Sequence, residues 1–165
     1  MAIYMKYGSL KGEVTETKHK EWLACDSASF GVGRSTSVEV GSGQEKRHRD
    51  QPTVSDMQIS RSFDSSSPLL FNEAVVGQPA KVELHFLKPA SGPDKEPPIY
   101  LVYELRNCLI TSYSVGGGGG GVSESFALNF TAINIEYTPY DDKDKAGTPT
   151  RGFFDLVSAK STKWA

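Results

Sequence analysis

The sequence has no apolar run that approaches the ~20 residues needed to cross a bilayer. Its opening segment, Met1 to Tyr7, lacks the longer apolar stretch of a signal peptide. The chain also lacks a large excess of one sign of charge, because its 18 Lys and Arg nearly balance its 20 Asp and Glu. Nucleic acid or an anionic membrane is therefore not indicated as a partner. We expect a protein made in the cytoplasm, without a conventional export signal and without membrane insertion.

Cysteine and histidine are scarce. Cys25 and Cys108 lie in apolar, strand-like runs, and no CxxC motif occurs. This pattern favours two buried free thiols, with a disulfide as the alternative. His19, His48 and His85 are scattered and have no partner at helical or hairpin spacing. The sequence therefore predicts no zinc site and no cofactor.

Catalytic motifs are missing as well. No GxSxG or HExxH occurs, and the acidic residues show no spacing that indicates an acid–base pair. The run Gly116 to Gly121 is followed by a strand pattern, whereas a phosphate-binding loop is followed by Lys-Ser or Lys-Thr and a helix. We therefore expect this run to be a flexible connector. The basic cluster Lys46 to Arg49 has no interleaved aromatic residue, which argues against nucleic acid. We therefore predict that the protein is not an enzyme.

What is present indicates one mainly β domain over residues 1–165. The composition, 38% hydrophobic and 23% charged, is typical of a globular protein with a real core. Polar stretches at Gly12–Lys20, Gly41–Pro52 and Asp141–Thr150 predict loops. Apolar alternation predicts the strands Ile3–Tyr7, Trp22–Cys25, Ser29–Arg34, Ser35–Val40, Thr53–Phe63, Lys81–Leu87, Ile99–Val115, Ser123–Tyr137 and Gly152–Ser158.

One short helix is predicted at Ser67 to Gly77. Ser67 suits the N-cap, Pro68 the first turn and Gly77 the position after the end. Its i, i+4 apolar pairs, Leu70 with Ala74 and Phe71 with Val75, form one apolar side. At roughly nine residues the helix is too short to be stable alone, so we expect it to lie on the sheet.

The segment Ser123 to Tyr137 changes its buried face partway. Phe126, Leu128 and Phe130 are apolar on one parity, whereas Ile133 and Ile135 are apolar on the other. Strand side chains alternate strictly between faces, so we expect either a bulge near Thr131 or a strand that leaves one sheet for another. The strands Ile99 to Val115 and Ser123 to Tyr137 are joined by a short loop, which predicts an antiparallel hairpin. The strands together predict a sandwich or barrel with the helix packed against it.

Several segments resemble one known family in matching order along nearly the whole chain. They are MAIYMKYGSLKGEV, HKEWL, SFGVGR, SPLLFNEA, and SESFALNF leading to IEY. These segments are similar to Hcp, the haemolysin-coregulated protein that forms the tube of bacterial type VI secretion systems. The six glycines and the KRHR cluster depart from the family pattern.

The resemblance implies a phage tail-tube-like β-barrel of two antiparallel sheets with one flanking helix, about residues 67–77. It also implies a homohexameric ring that stacks into a tube inside a contractile sheath, with a spike protein at the tip. Sheath contraction would export the tube, and the lumen would carry small effector proteins. A phage-like tail tube protein and a monomeric small-ligand-binding barrel remain the alternatives.

Two sets of residues are candidates for contacts in such a tube. We expect parts of Ser29 to Val40 and of Ser123 to Tyr137 to line the lumen or the subunit junction, with Ser29, Asn129 and Thr131 facing water or cargo. For ring stacking, the resemblance points to the Gly41–Pro52 loop. There we hypothesise that a basic set meets an acidic set on the next ring, namely Lys46, Arg47 and Arg49 with Asp141, Asp142 and Asp144.

Overall fold

The computed structural model describes residues 1–38, 47–49, 51–90, 92 and 96–161. Its strands are antiparallel, and the single α-helix of these residues is α1, Ser67–Val76. The strands are β1 Ala2–Tyr7, β2 Leu23–Cys25, β3 Ser27–Ser29, β4 Val32–Gly33, β5 Thr36–Val38, β6 Arg47–Arg49, β7 Thr53–Val54, β8 Met57–Ser62, β9 Ala80–Leu87, β10 Ile99–Gly118, β11 Gly121–Asn129, β12 Ala132–Tyr137 and β13 Thr150–Asp155.

Two antiparallel sheets meet in the long strand β10. Sheet A runs β2-β1-β9-β10-β12-β13, and sheet B runs β10-β11-β8-β3. Strand β10 pairs with β9 and β12 through its first half and with β11 through its second half. The mainly β fold class, with two antiparallel sheets and one short helix, is confirmed.

The predicted change of face near Thr131 is a change of sheet. Strand β11 ends at Asn129 in sheet B and β12 begins at Ala132 in sheet A. Between them the amide of Thr131 donates to the carbonyl of Arg106 (3.0 Å). Strand β10 crosses at the same level through a register shift between Leu105 and Cys108. Asn107 lies inside that shift with φ 49°, a left-handed conformation that asparagine tolerates better than most residues.

The predicted hairpin is confirmed, but the glycine run is mostly strand. Gly118 pairs with Gly121, so only Gly119 and Gly120 form the turn. Gly121, the first residue of β11 after the turn, has φ 116°, a conformation that glycine adopts far more readily than other residues. The prediction of a six-residue flexible connector was therefore wrong, because a ladder of backbone pairs reaches the turn.

The core lies between the two sheets and is filled by side chains from both. Met5, Leu84, Leu105 and Leu128 have no exposed surface. Cys25 and Cys108 are buried free cysteines, which confirms the prediction. Burial raises the pKa of both thiols to about 12. No helix among the described residues is long and apolar enough to cross a membrane.

Helix α1 lies on the core, although its cap differs from the prediction. Ser66 is the N-cap and Ser67 is the first helical residue, buried and hydrogen-bonded to Glu124 (Oγ to Oε1, 2.8 Å). Gly77 ends the helix with φ 69° as predicted, and its amide donates to Glu73 (2.8 Å). Leu70 and Ala74 pack on the core, but Phe71 and Val75 are exposed. The helix thus buries one apolar pair and not both.

Two loop predictions were partly wrong. Within Gly41–Pro52, Arg47–Arg49 form strand β6, which pairs with β5 to make a small arm, while residues 41–46 and 50 lie outside the described residues. In the other loop, a turn of 3-10 helix at Thr17–His19 buries His19 on sheet A. Its Nε2 lies 2.8 Å from Nδ1 of His85, so the two histidines are partners after all.

Candidate functional site

The outward face of sheet B carries a repeated Ser-x-Ser pattern. Each of its four strands contributes one pair: 27 and 29, 60 and 62, 112 and 114, and 123 and 125. The pairing register places these residues in rows across the sheet. We call this surface the hydroxyl face; its members are Ser27, Ser29, Gln58, Ser60, Ser62, Ser112, Ser114, Gly116, Ser123, Ser125, Ala127 and Asn129.

The rows follow directly from the sheet register. Ser114 is opposite Ser125, which is opposite Ser60, which is opposite Ser27. The hydroxyls pair across the strands: Ser27 with Ser60 at 2.6 Å, and Ser114 with Ser125 at 2.8 Å. Because strand side chains alternate, the residues between the serines are the core ones. The face is therefore built by the same alternation that builds the core.

The hydroxyl face is exposed and uncharged across its rows. Ser60 is half-buried and Ala127 is buried, while its other side-chain-bearing members are exposed. Toward one end the surface forms an open groove of about 410 Å³ lined by Asp26, Ser60, Ser114 and Ser125, among others. Small hydroxyl side chains can both donate and accept hydrogen bonds. Such a surface suits contact with a polar partner or a layer of water.

Carboxylates mark both ends of the hydroxyl face. At one end Asp56 accepts from the Thr111 hydroxyl (2.6 Å) and from Nδ2 of Asn129 (2.7 Å). At the other end Asp26 accepts from the Ser62 hydroxyl (3.5 Å). Six residues of β8 separate the two levels, which corresponds to about 20 Å along a strand.

A buried ionic network supports the hydroxyl face from the core side. The Arg61 guanidinium is 1% exposed and donates to the carbonyl of Ala24 (Nε, 3.1 Å) and to Ser66 (Nη1, 2.8 Å). It pairs with Glu124 (Nη1 to Oε1, 3.2 Å) and with Asp64. Tyr113 donates to the second oxygen of Glu124. The network ties β8, β11, β10 and the start of α1 together.

The structure brings two of the three candidate lumen residues together. Ser29 and Asn129 both lie on the hydroxyl face, since Ser29 is opposite Gln58 and Gln58 is opposite Ala127. Thr131 is off this face, in the link between β11 and β12. There its hydroxyl accepts from Nδ2 of Asn107 (3.1 Å). It therefore serves the change of sheet.

The candidate stacking residues lie in two separate segments. Arg47 and Arg49 belong to strand β6 of the arm, and Lys46 lies outside the described residues. Asp141, Asp142 and Asp144 lie in the turn after β12. The Asp141 carboxylate accepts from the amides of Lys143 (3.0 Å) and Lys145 (2.8 Å), so it holds its own turn in shape.

Sequence reasoning missed Asp26, Asp56 and the serine rows. Three of the four Ser-x-Ser pairs lie in predicted strands, and the fourth, Ser27 and Ser29, lies at the start of one. The signal was therefore present, but a serine is interpreted only as polar until the register shows which residues it faces. Among the described residues, no group of three or more His, Cys, Asp or Glu is placed to hold a metal.

Comparison with known proteins links this fold to one family. The sequence profile described as "Type VI secretion system effector, Hcp" matches residues 4–137. The protein hcp1 of Pseudomonas aeruginosa is 28% identical over 152 residues, covering 90% of this chain and 91% of its own. A solved structure of a type six secretion system protein has a TM-score of 0.82 at 25% identity and covers 98% of this chain and 99% of its own.

Hcp1 of Salmonella typhimurium has the same fold, with a TM-score of 0.77, 21% identity and 98% coverage of both chains. The family match spans most of the chain, including sheet B and helix α1. The chain belongs to the Hcp family of the type VI secretion system, and it is a tube protein of that system.

Proposed function

We propose that this protein forms homohexameric rings that stack into the inner tube of the type VI apparatus, with the hydroxyl face lining the lumen. Residues 1–165 act as one domain, since β10 is shared by both sheets. The tube lies in a contractile sheath in the cytoplasm and carries a spike protein at its tip. Contraction exports the tube, with small effector proteins in the lumen, to the outside or into a target cell.

One observation carries the ring: sheet B has a strand without an outer partner at each side. Strand β3 pairs only with β8, and β10 beyond Cys108 pairs only with β11 among the described strands. Two different edges on one subunit allow head-to-tail contact, and such contacts close into a ring when the rotation is right. Unpaired edges are otherwise a liability for aggregation. Six copies of sheet B would then form one inner wall.

The lumen assignment can be tested by cysteine labelling with reagents of two sizes. Ser29→Cys and Asn129→Cys place thiols on the hydroxyl face, and Val157→Cys, whose native residue is 80% exposed, is the matched control outside sheet B. Cys25 and Cys108 should stay unlabelled, because burial raises the pKa of both thiols to about 12. In assembled tubes the face variants should react with a small maleimide and not with a polymer-linked one, whereas the control reacts with both. Equal reaction of all three with the large reagent removes the assignment.

For stacking, the proposal is that the β5–β6 arm contacts the next ring. Lys46, Arg47 and Arg49 supply positive charge, with Asp141, Asp142 and Asp144 as their acidic partners. An ion pair at a protein surface contributes only about 0–1 kcal/mol, but sixfold repetition adds up while the contact stays sensitive to salt. The double variant Arg47→Glu/Arg49→Glu should shorten tubes and leave single rings intact. Tubes of normal length at low salt would remove the arm from the stacking contact.

The role is structural, not catalytic. A phage-like tail tube protein would share the ring and is distinguished by the lack of secretion into the medium of type VI-active cells. A monomeric ligand-binding barrel requires a closed apolar cavity, whereas the centre of this barrel is occupied by Met5, Leu84, Leu105 and Leu128.

A further inference from the structure

The charge distribution on the hydroxyl face is one-sided. Of the side chains that the structure describes there, none in the rows is charged, and the two that border the rows, Asp26 and Asp56, are both acidic. Arg61 also lines the groove, but its guanidinium is only 1% exposed and is paired with Asp64 and the buried Glu124. Among the ion pairs between described residues, none joins Asp26 or Asp56 to a lysine or an arginine.

Both carboxylates are held where they can act on a partner. The Asp56 carboxylate is held in place by hydrogen bonds from the Thr111 hydroxyl and the Asn129 side-chain amide. Asp26 is exposed beside Ser62, at the edge of the 410 Å³ groove. The uncharged rows lie between them. A partner on this face therefore meets negative charge at both ends and hydrogen-bonding hydroxyls in the middle.

We propose that the hydroxyl face selects cationic protein cargo, attracted by the two acidic positions and held by the neutral hydroxyl rows. This inference rests on the ring proposed above, in which six subunits repeat Asp26 and Asp56 as two acidic circles in the lumen. A concave surface lined by one sign of charge concentrates its field and raises the local concentration of the opposite charge. Hydroxyls fit many polar surfaces, so cargo of different shapes is accepted while charge sets the preference.

The test uses purified rings and two probe proteins of one fold and size but opposite net charge: lysozyme, which is basic, and α-lactalbumin, which is acidic. Binding is measured at low and at high salt after light scattering has established the mass of the rings. Native rings should bind the basic probe at least about tenfold more tightly than the acidic one, and high salt should abolish the difference.

Variants separate the hydroxyl face from the general charge of the molecule. Asp26→Asn/Asp56→Asn should reduce binding of the basic probe by about tenfold. The control Glu73→Gln/Glu104→Gln also removes two negative charges, but from α1 and sheet A, and should leave binding unchanged. If the double variant does not assemble, Asp26→Asn alone, at an exposed position, carries the comparison.

Equal binding of both probes by native rings, or equal loss in both double variants, overturns the cargo inference and leaves the ring intact. Failure of the native protein to form rings overturns the proposed function itself, and the cargo inference with it.

Discussion

Replacing Arg61 with methionine should destabilise the protein more than any single surface change. Methionine keeps the length and the apolar stem but removes the guanidinium, which is 1% exposed and bonded to Ala24, Ser66 and Glu124. The Glu124 side chain is fully buried, so its carboxylate would lose the cation with which it is paired among the described residues. Removing one partner of a buried ion pair costs about 3–5 kcal/mol. That is a large share of the ~5–15 kcal/mol that stabilises a typical domain.

The assay is urea unfolding, followed by circular dichroism at several protein concentrations so that assembly is separated from folding. Lys81→Met is the matched control, because Lys81 is 54% exposed in its pair with Glu83. The control should lose about 0–1 kcal/mol. Adding Glu124→Gln to Arg61→Met should recover at least about 1 kcal/mol, since the lone buried charge is removed. A loss below 1 kcal/mol for Arg61→Met, equal to that of the control, would refute the role assigned to the network.

Two further changes address other parts of the fold. Burial and the neighbouring His19 lower the pKa of His85 from 6.5 to about 4, so between these values the unfolded chain binds a proton that the native chain does not. The contribution of His85 to the free energy of unfolding should therefore be fully present above pH 6.5 and be lost as pH drops to 4. Because His85 is only partly buried, the loss should stay below the roughly 3 kcal/mol that such a shift would give a fully buried group. Chemical unfolding of His85→Gln should show a smaller pH dependence. At the hairpin, Gly121→Ala should lower the free energy of unfolding by about 1–2 kcal/mol, because the φ of Gly121 is 116°. The control Gly118→Ala should change little, since an added Cβ there meets nothing within 4 Å. Equal effects in thermal unfolding would mean that the conformation of Gly121 is not strained for alanine.

Much of the fold was predictable because alternation is a local property of the chain. The apolar pattern around Phe130 and Ile133 located the change of sheet to within two residues. The same reasoning missed β6, since Arg47–Arg49 contain no apolar residue and pair with β5 only in the arm. It also left Phe71 and Val75 on the buried side of α1, although only Leu70 and Ala74 reach the core.

The candidate site was less predictable because it depends on pairs that are far apart in sequence. Ser29 and Asn129 are neighbours on one surface only through the register of β3, β8 and β11. Asp56 joins them through a hydrogen bond across 73 residues of sequence. In the same way, His19 and His85 meet only because β1 and β9 are paired and the 12–20 segment folds over them. Spacing along the chain carries none of this information.

We propose that this chain closes into a ring of six subunits with sheet B inside. Light scattering during size exclusion, combined with negative-stain microscopy, tests it most directly. Six chains of 18.0 kDa give about 108 kDa, and we expect that mass together with ring-shaped particles with an open centre. A mass of 18.0 kDa at all protein concentrations, with no rings in the micrographs, would contradict the account.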